Sequence, residues 1–326
     1  MKLLLSLAAL CAGLTLVSLF VGSGNVPLLD TAWAYFGAGD PLIVLVMQEL
    51  RLPRAALALL IGAALGLAGA AMQGFLRNPL ADPGIVGTSA FAALGAVIAL
   101  HTGIVALFPM ALALMALCGA LISVLALLAL AGRGARTTTL ILSGVALSSA
   151  AAALVSLVLN LSPNPFAANE ITFWMMGSLA DRSFRHVSVA LPILLLGAVL
   201  IWRARKGLDA LSFGEETALS MGVNVRRLRL QLILGTACLS GASTAVAGMI
   251  GFVGLVIPHL LRRVTGGMPS RLLLPAALGS AALILAADIA VRVILPGRDL
   301  KLGVLTALLG TPVFLHMVWK SRGRDA

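Results

Sequence analysis

Long apolar runs alternate along the whole chain with short breaks that carry charged residues, Pro or Gly. Read between the breaks, the runs predict about ten helices: 3–22, 54–75, 86–101, 106–131, 138–160, 187–204, 228–249, 252–266, 272–293 and 303–319. A bilayer crossing needs about 20 apolar residues. The third and eighth runs are short for that and read as tilted or partly buried helices of a larger bundle. Between the fifth and sixth runs, Ile171–Leu179 predicts a short helix outside the membrane. The run from Leu3 to Val21 follows Lys2 as a signal peptide would. It is long enough to span, no A-x-A site follows it, and it reads as the first crossing.

Composition excludes a water-soluble domain. The chain is 60% hydrophobic and 11% charged, against about 45–50% and 25% in soluble proteins, and its mean hydropathy is +1.07. Cys11, Cys118 and Cys238 stand singly in apolar runs, as small buried hydrophobes do. The net charge of +11 does not form a basic stripe with stacking aromatics, so it does not point to nucleic acid. Its distribution bears on orientation instead. With the N-terminus inside, 16 of the 23 Lys and Arg fall in the inner connections and 7 in the outer ones. That bias places both termini in the cytoplasm.

Gly62-Ala63 and Ala68-Gly69 return 179 residues later as Gly241-Ala242 and Ala247-Gly248, and the same offset carries Pro79 onto Pro258 and Gly87 onto Gly266. The first copy lies on the second run and the second on the seventh, so the two point in opposite directions. The expected fold is therefore an all-α polytopic membrane protein, one domain over 1–326, with inverted halves at roughly 51–160 and 228–319. Inverted repeats are a construction of alternating-access transporters. The glycines themselves are explained by close helix packing. Asn78-Pro79 and Ile257-Pro258 read as helix breaks. His101, His186, His259 and His316 have no ligand spacing, and no metal site is expected.

The longest inner connection, 207–227, contains a candidate polar helix, Glu215 to Met221, with acids in its first turn and Gly222 as its C-cap. Such a segment either docks in a groove of a partner or is a solvated linker.

Several motifs together resemble the permeases of bacterial iron-chelate and vitamin B12 importers, the FecCD type. They are Arg51-Leu-Pro-Arg54, Ala68-Gly-Ala-Ala-Met-Gln73, Arg77-Asn-Pro-Leu-Ala-Asp-Pro83, Trp174-Met-Met-Gly-Ser, Gly214-Glu-Glu-Thr-Ala with Leu219-Ser-Met-Gly222, and Gly251-Phe-Val-Gly-Leu-Val-Ile-Pro-His259. The match runs in order from about Arg51 to Phe314. The resemblance implies a type II ABC importer permease: a homodimer in the bacterial inner membrane, with two cytoplasmic ABC ATPase subunits and a periplasmic binding protein as partners. It implies that Gly214, Glu215, Glu216, Thr217, Ala218, Leu219, Met221 and Gly222 seat on the ATPase. Arg51 and Arg292 would dock the binding protein through glutamates. The alternatives are a snorkelling anchor for Arg51 and an i,i+4 pair with Asp288 for Arg292. The implied path follows the fifth and tenth helices, where Ser143, Ser148, Asn160, Thr306 and Thr311 are candidates. One departure is Asp299-Leu300-Lys301 before Gly303, where the family usually has Glu-Leu-Pro. Arg182, Arg185, Arg298 and Lys301 could then attract an anionic ligand, or contact only lipid or the binding protein.

The chain has no GxxxxGK[ST] phosphate loop, so it is not expected to be an enzyme or to bind a cofactor; ATP and Mg belong to the partner ATPase. The expected function is ATP-driven import of an iron chelate, such as haem or a ferric siderophore, or of cobalamin. An ion-coupled secondary transporter is the alternative; it would need coupling-ion ligands near the midplane, and Asp288 is the one acid inside an expected crossing.

Overall fold

The computed structural model describes residues 1–22, 27–108, 110–132, 137–162, 165–294 and 300–322. Its helices are α1 (Lys2–Phe20), α2 (Leu28–Ala34), α3 (Pro41–Leu45), α4 (Leu52–Phe75), α5 (Thr88–His101), α6 (Ala111–Ala131), α7 (Thr137–Asn160), α8 (Pro165–Met175), α9 (Phe184–Ser212), α10 (Glu215–Ser220), α11 (Val225–Ala247), α12 (Val253–Arg262), α13 (Pro269–Ile294) and α14 (Leu302–Arg322). Among the described residues, seven helical stretches are long and apolar enough to cross a membrane, and α5, α12 and Leu302–Met317 of α14 are shorter apolar helices. These ten match the ten expected runs.

The ends differ for physical reasons. The second crossing starts at Pro41 rather than 54, because α3 and α4 are joined by a π turn, Val46–Arg51. Pro53 has no amide to give the preceding turn, and the wider turn lies where that bond is missing. Helix α9 runs eight residues past the expected end at 204. Charge stops a crossing but not a helix, and Ala204, Leu208 and Leu211 keep a buried stripe going. The short helix expected at Ile171–Leu179 lies earlier, as α8. Ile171 is fully buried with Leu94, Val97 and Val155, so the segment is packed against the bundle.

Helices α4 and α11 form the centre, buried along most of their length. In a bilayer, helices associate through close packing rather than hydrophobic drive, so small residues decide which surfaces meet. A Cβ on Gly62 would lie 2.5 Å from Ala281 Cα of α13, and one on Gly66 would strike the Ala276 carbonyl. One on Gly69 would strike the Gly254 carbonyl of α12. That carbonyl is four residues before Pro258, which has no amide to bond it. Pro258 was expected to break the helix. Instead α12 continues through it, and the spared carbonyl sits against Gly69. Gln73, fully buried, donates to the Leu255 carbonyl at 3.0 Å and accepts from Arg262 at 3.3 Å.

The second copy of the motif packs against the other half of the chain. Gly241 faces Ala120 of α6, with only 2.7 Å for an added Cβ, and the Ser240 hydroxyl meets that of Thr88 on α5 at 2.7 Å, buried. Thus α4 grips α12 and α13, while α11 grips α5 and α6. The copies then diverge: α4 continues past Gly69 to Phe75, but α11 ends at Ala247 and Gly248 turns away at φ +74°.

Gly69→Ala is expected to lower stability by about 2 kcal/mol or more, since the added methyl meets backbone. Gly251→Ala, where an added Cβ meets nothing within 4 Å, should change it by less than about 0.5 kcal/mol. Thermal unfolding of the two purified variants checks this, and equal midpoints would refute the packing account.

Candidate functional site

At one end of the bundle, beyond Arg203, Arg205 and Lys206, α10 is clamped between α9 and α11. Gly214 precedes it at φ +116°, a backbone shape that suits glycine. Helix α10 runs from Glu215 to Ser220, one residue shorter than the sequence suggests. Gly222 at φ +78° and Val223 close it, donating to the Leu219 carbonyl at 2.9 Å and the Ala218 carbonyl at 3.0 Å, a Schellman ending. Ala218 is fully buried, and Glu215 pairs with Arg229 at 3.2 Å. Asn224 then caps α11 by accepting from the Arg227 amide at 2.9 Å. Asp209, near the end of α9, accepts from the Ser270 amide at the start of α13 at 2.8 Å. On this fixed base, Phe213, Leu219 and Met221 are 63%, 56% and 59% exposed, with Glu216 and Thr217 exposed beside them. Apolar side chains held out beyond the membrane-crossing stretch mark an interaction surface. Phe213 and Asp209 were not singled out in the sequence. A large aromatic directly before the helix-starting glycine was the available signal.

The expected docking arginines lie at the other end, and both hold the end of α1. A helix leaves its last four carbonyls without intrahelical donors. Here Arg51 donates to Leu19 and Phe20 at 3.3 and 3.0 Å, and Arg292 donates to Ser18 and Val21 at 2.9 and 2.6 Å. Tyr35 adds a bond to the Leu19 carbonyl at 2.7 Å. Positive charge at a helix C-terminus also opposes the negative end of its dipole. Asp288, fully buried, contacts Arg54 at 2.8 Å and Arg292 at 2.8 Å. The i,i+4 pair was legible in the sequence; the partner 234 residues away was not. Arg51 itself is 7% exposed. A carboxylate from another protein would have to share or displace the bonds to α1.

Of the path candidates, Ser143 and Ser148 on α7 are half-buried, and Asn160 and Thr311 are exposed. Thr306 is buried and donates to the Gly303 carbonyl at 3.0 Å, within its own helix. One stripe of α7, Leu140, Gly144, Leu147, Ala151 and Val155, faces the bundle; Leu142, Val145, Leu154 and Leu157 are exposed, as are Leu308, Leu309 and Leu315 on α14. Near the far end of α14, a cavity of about 600 Å³ brings Asn78 and Pro79 together with His259, Arg263, His316 and Lys320. Of the cations expected at the other mouth, Lys301 sits over the Phe173 ring at 5.5 Å. Arg182 has a buried Nε, and burial lowers its pKa against the opposing pull of Asp181. Arg185 is exposed, and Arg298 lies outside the described residues.

A family model described as the FecCD transport family matches residues 10–320. The chain belongs to that family. It is 38% identical over 324 residues to the vitamin B12 import system permease protein BtuC of Salmonella paratyphi A, covering 98% of this chain and 95% of that one. It is 37% identical over 317 residues to the Fe(3+) dicitrate transport system permease protein FecD of Escherichia coli K12, covering 95% and 96%. A solved metal-chelate type ABC transporter in an inward-facing conformation superposes with a TM-score of 0.86 at 31% identity, over 98% of this chain and 99% of that one. The FecCD chain is thus an all-helical, multi-pass membrane protein with the ABC importer permease fold.

Replacing Arg292 by Ala unpairs the Ser18 carbonyl of α1 and the Val21 carbonyl just past its end, and leaves Asp288 with Arg54 alone. The expected cost is about 3 kcal/mol, read as a lowered thermal midpoint of the purified protein. An unchanged midpoint would mean that the clasp does not hold α1.

Proposed function

We propose that this chain is the membrane-spanning subunit of an ATP-driven importer of an iron chelate, such as haem or a ferric siderophore, or of cobalamin. Family membership and the names of its relatives support the substrate class. The observation that carries the mechanism is α10, a short helix on a rigid base that holds Phe213, Leu219 and Met221 out beyond the bundle. In this reading, two copies of the chain sit in the bacterial inner membrane with both termini in the cytoplasm, as the Lys and Arg distribution supports. Gly214–Gly222 of each copy seats on an ABC ATPase subunit, which holds the ATP and Mg. A periplasmic binding protein delivers substrate at the opposite face, where Arg51 and Arg292 lie.

Because α10 is clamped to α9 and α11, movement of the ATPase passes directly into two long helices. Through Asp209 it also reaches the start of α13. The packed groups α4–α12–α13 and α5–α6–α11 then tilt against each other where α4 meets α11, and the path runs between the exposed faces of α7 and α14 of the two copies. An ion-coupled mechanism finds no support at Asp288, whose carboxylate is held by Arg54 and Arg292 rather than open to a proton or a cation.

Replacing both Leu219 and Met221 by Glu should weaken assembly with the ATPase by about 30-fold, the loss of roughly 2 kcal/mol typical of a central apolar contact. Thermal stability of the permease alone should hold, since both side chains are exposed. Affinity of the purified subunits, measured by titration, decides it; unchanged affinity would remove α10 from the interface. Gly222→Ala should reduce coupled ATP hydrolysis by straining the αL turn, about 1 kcal/mol, while Gly222→Asn is tolerated. Equal hydrolysis by the two variants would refute the need for that turn.

A further inference from the structure

The seam between α9 and α11 has a polar opening at the α10 end and an apolar groove further along. The opening, about 340 Å³, is lined by Arg203, Asn224, Arg227 and Gln231, with no acidic residue among its lining side chains. Arg203 and Arg227 are both exposed, and neither forms an ion pair among the described residues. The groove, about 330 Å³, lies between α6, α9 and α11 and is lined by Leu121, Ile193, Leu234, Cys238 and Gly241 among other apolar or thiol-bearing residues.

The opening and the groove are separate cavities that follow one another along a single face of α11. On α11, Arg227, Gln231, Leu234, Cys238 and Gly241 follow each other at intervals of four, three, four and three residues, which puts them on one stripe. From Arg227 to Gly241 is about 21 Å at 1.5 Å per residue. That is the depth of one leaflet with its headgroups, half of about 40–45 Å. On α9, Arg203 to Ile193 is about 15 Å, half of the roughly 30 Å hydrocarbon core. Trp202, 40% exposed, carries the Arg205 guanidinium over its ring at 4.5 Å, as an aromatic at headgroup level does.

We propose that this seam binds one anionic phospholipid of the leaflet on the α10 side. The Arg203 and Arg227 guanidiniums take the phosphodiester, for which their planar forks are suited. Asn224 and Gln231 meet the polar headgroup, and an acyl chain lies along Leu234, Cys238 and Gly241. Charge selects the occupant: two unpaired cations over an apolar slot fit an anionic headgroup with a chain, not a zwitterionic one. The seam also flanks α10, so a bound lipid would stiffen the joint between α9 and α11.

The test uses the full-length chain assembled with its ATPase in nanodiscs, with photoactivatable phosphatidylglycerol or phosphatidylethanolamine carrying the reactive group in the acyl chain. Labelled peptides are mapped by mass spectrometry. Phosphatidylglycerol should label Leu117–Leu121 and 234–241 at least about fivefold more than phosphatidylethanolamine. The Arg203→Gln, Arg227→Gln variant should bring that ratio to about one, while Arg226→Gln, next to the opening but not lining it, preserves it. Inorganic phosphate added at constant ionic strength should not compete. Equal labelling by the two lipids, an unchanged ratio in the double variant, or competition by free phosphate would each overturn the assignment. So would preferential labelling that appears only without the ATPase, since the partner would then be the occupant.

Discussion

Everything in this bundle depends on backbone meeting backbone at Gly62, Gly66 and Gly69. Lipid tails are as apolar as leucine, so burying leucine gives a membrane helix little reason to choose one neighbour over another. Close approach supplies that choice. The side of α4 without side chains admits the Ala276 and Gly254 carbonyls, and the second of these is spared for the role by Pro258. Around the contact, buried polar groups are satisfied across helices, Gln73 with Leu255 and Arg262, and Thr88 with Ser240. They fix the register of α4 on α12 and of α5 on α11.

The two ends of the frame are built for different loads. At the α10 end, short capped elements follow one another without slack, and the apolar side chains that would bind a partner point away from the bundle. At the other end, charge is turned inward. Arg51 and Arg292 finish α1, a helix that is mostly exposed and is tied to the bundle through few packed side chains. A binding protein presenting carboxylates there would compete for the same donors, so its arrival and the hold on α1 would be energetically linked. That link would run to α13, because Arg292 and Asp288 lie on that helix.

The seven crossing-length stretches and the three shorter apolar helices were legible because hydropathy reports the length of an apolar run directly. The continuation of α9 was not, since its last turns are amphipathic and only packing against α11 shows which side is buried. Gly222 as a helix ending followed from residue type alone; the exposure of Leu219 and Met221 needed the fold. Asp288 with Arg292 could be read from a spacing of four, but Arg54 comes from a helix 234 residues earlier. The roles of Arg51 and Arg292 show the same limit. A family motif names the residue, while its bonds to α1 depend on where another helix happens to end.

The central claim is that transport energy enters from outside the chain, through α10, and not from an ion bound within it. It is tested by uptake of labelled ferric chelates and cobalamin into proteoliposomes holding the permease and its ATPase, with ATP inside and the binding protein outside. Proton and sodium gradients are collapsed by ionophores. Uptake should persist with ATP and stop without it. Uptake that needs an ion gradient, or continues without the ATPase, would contradict the account.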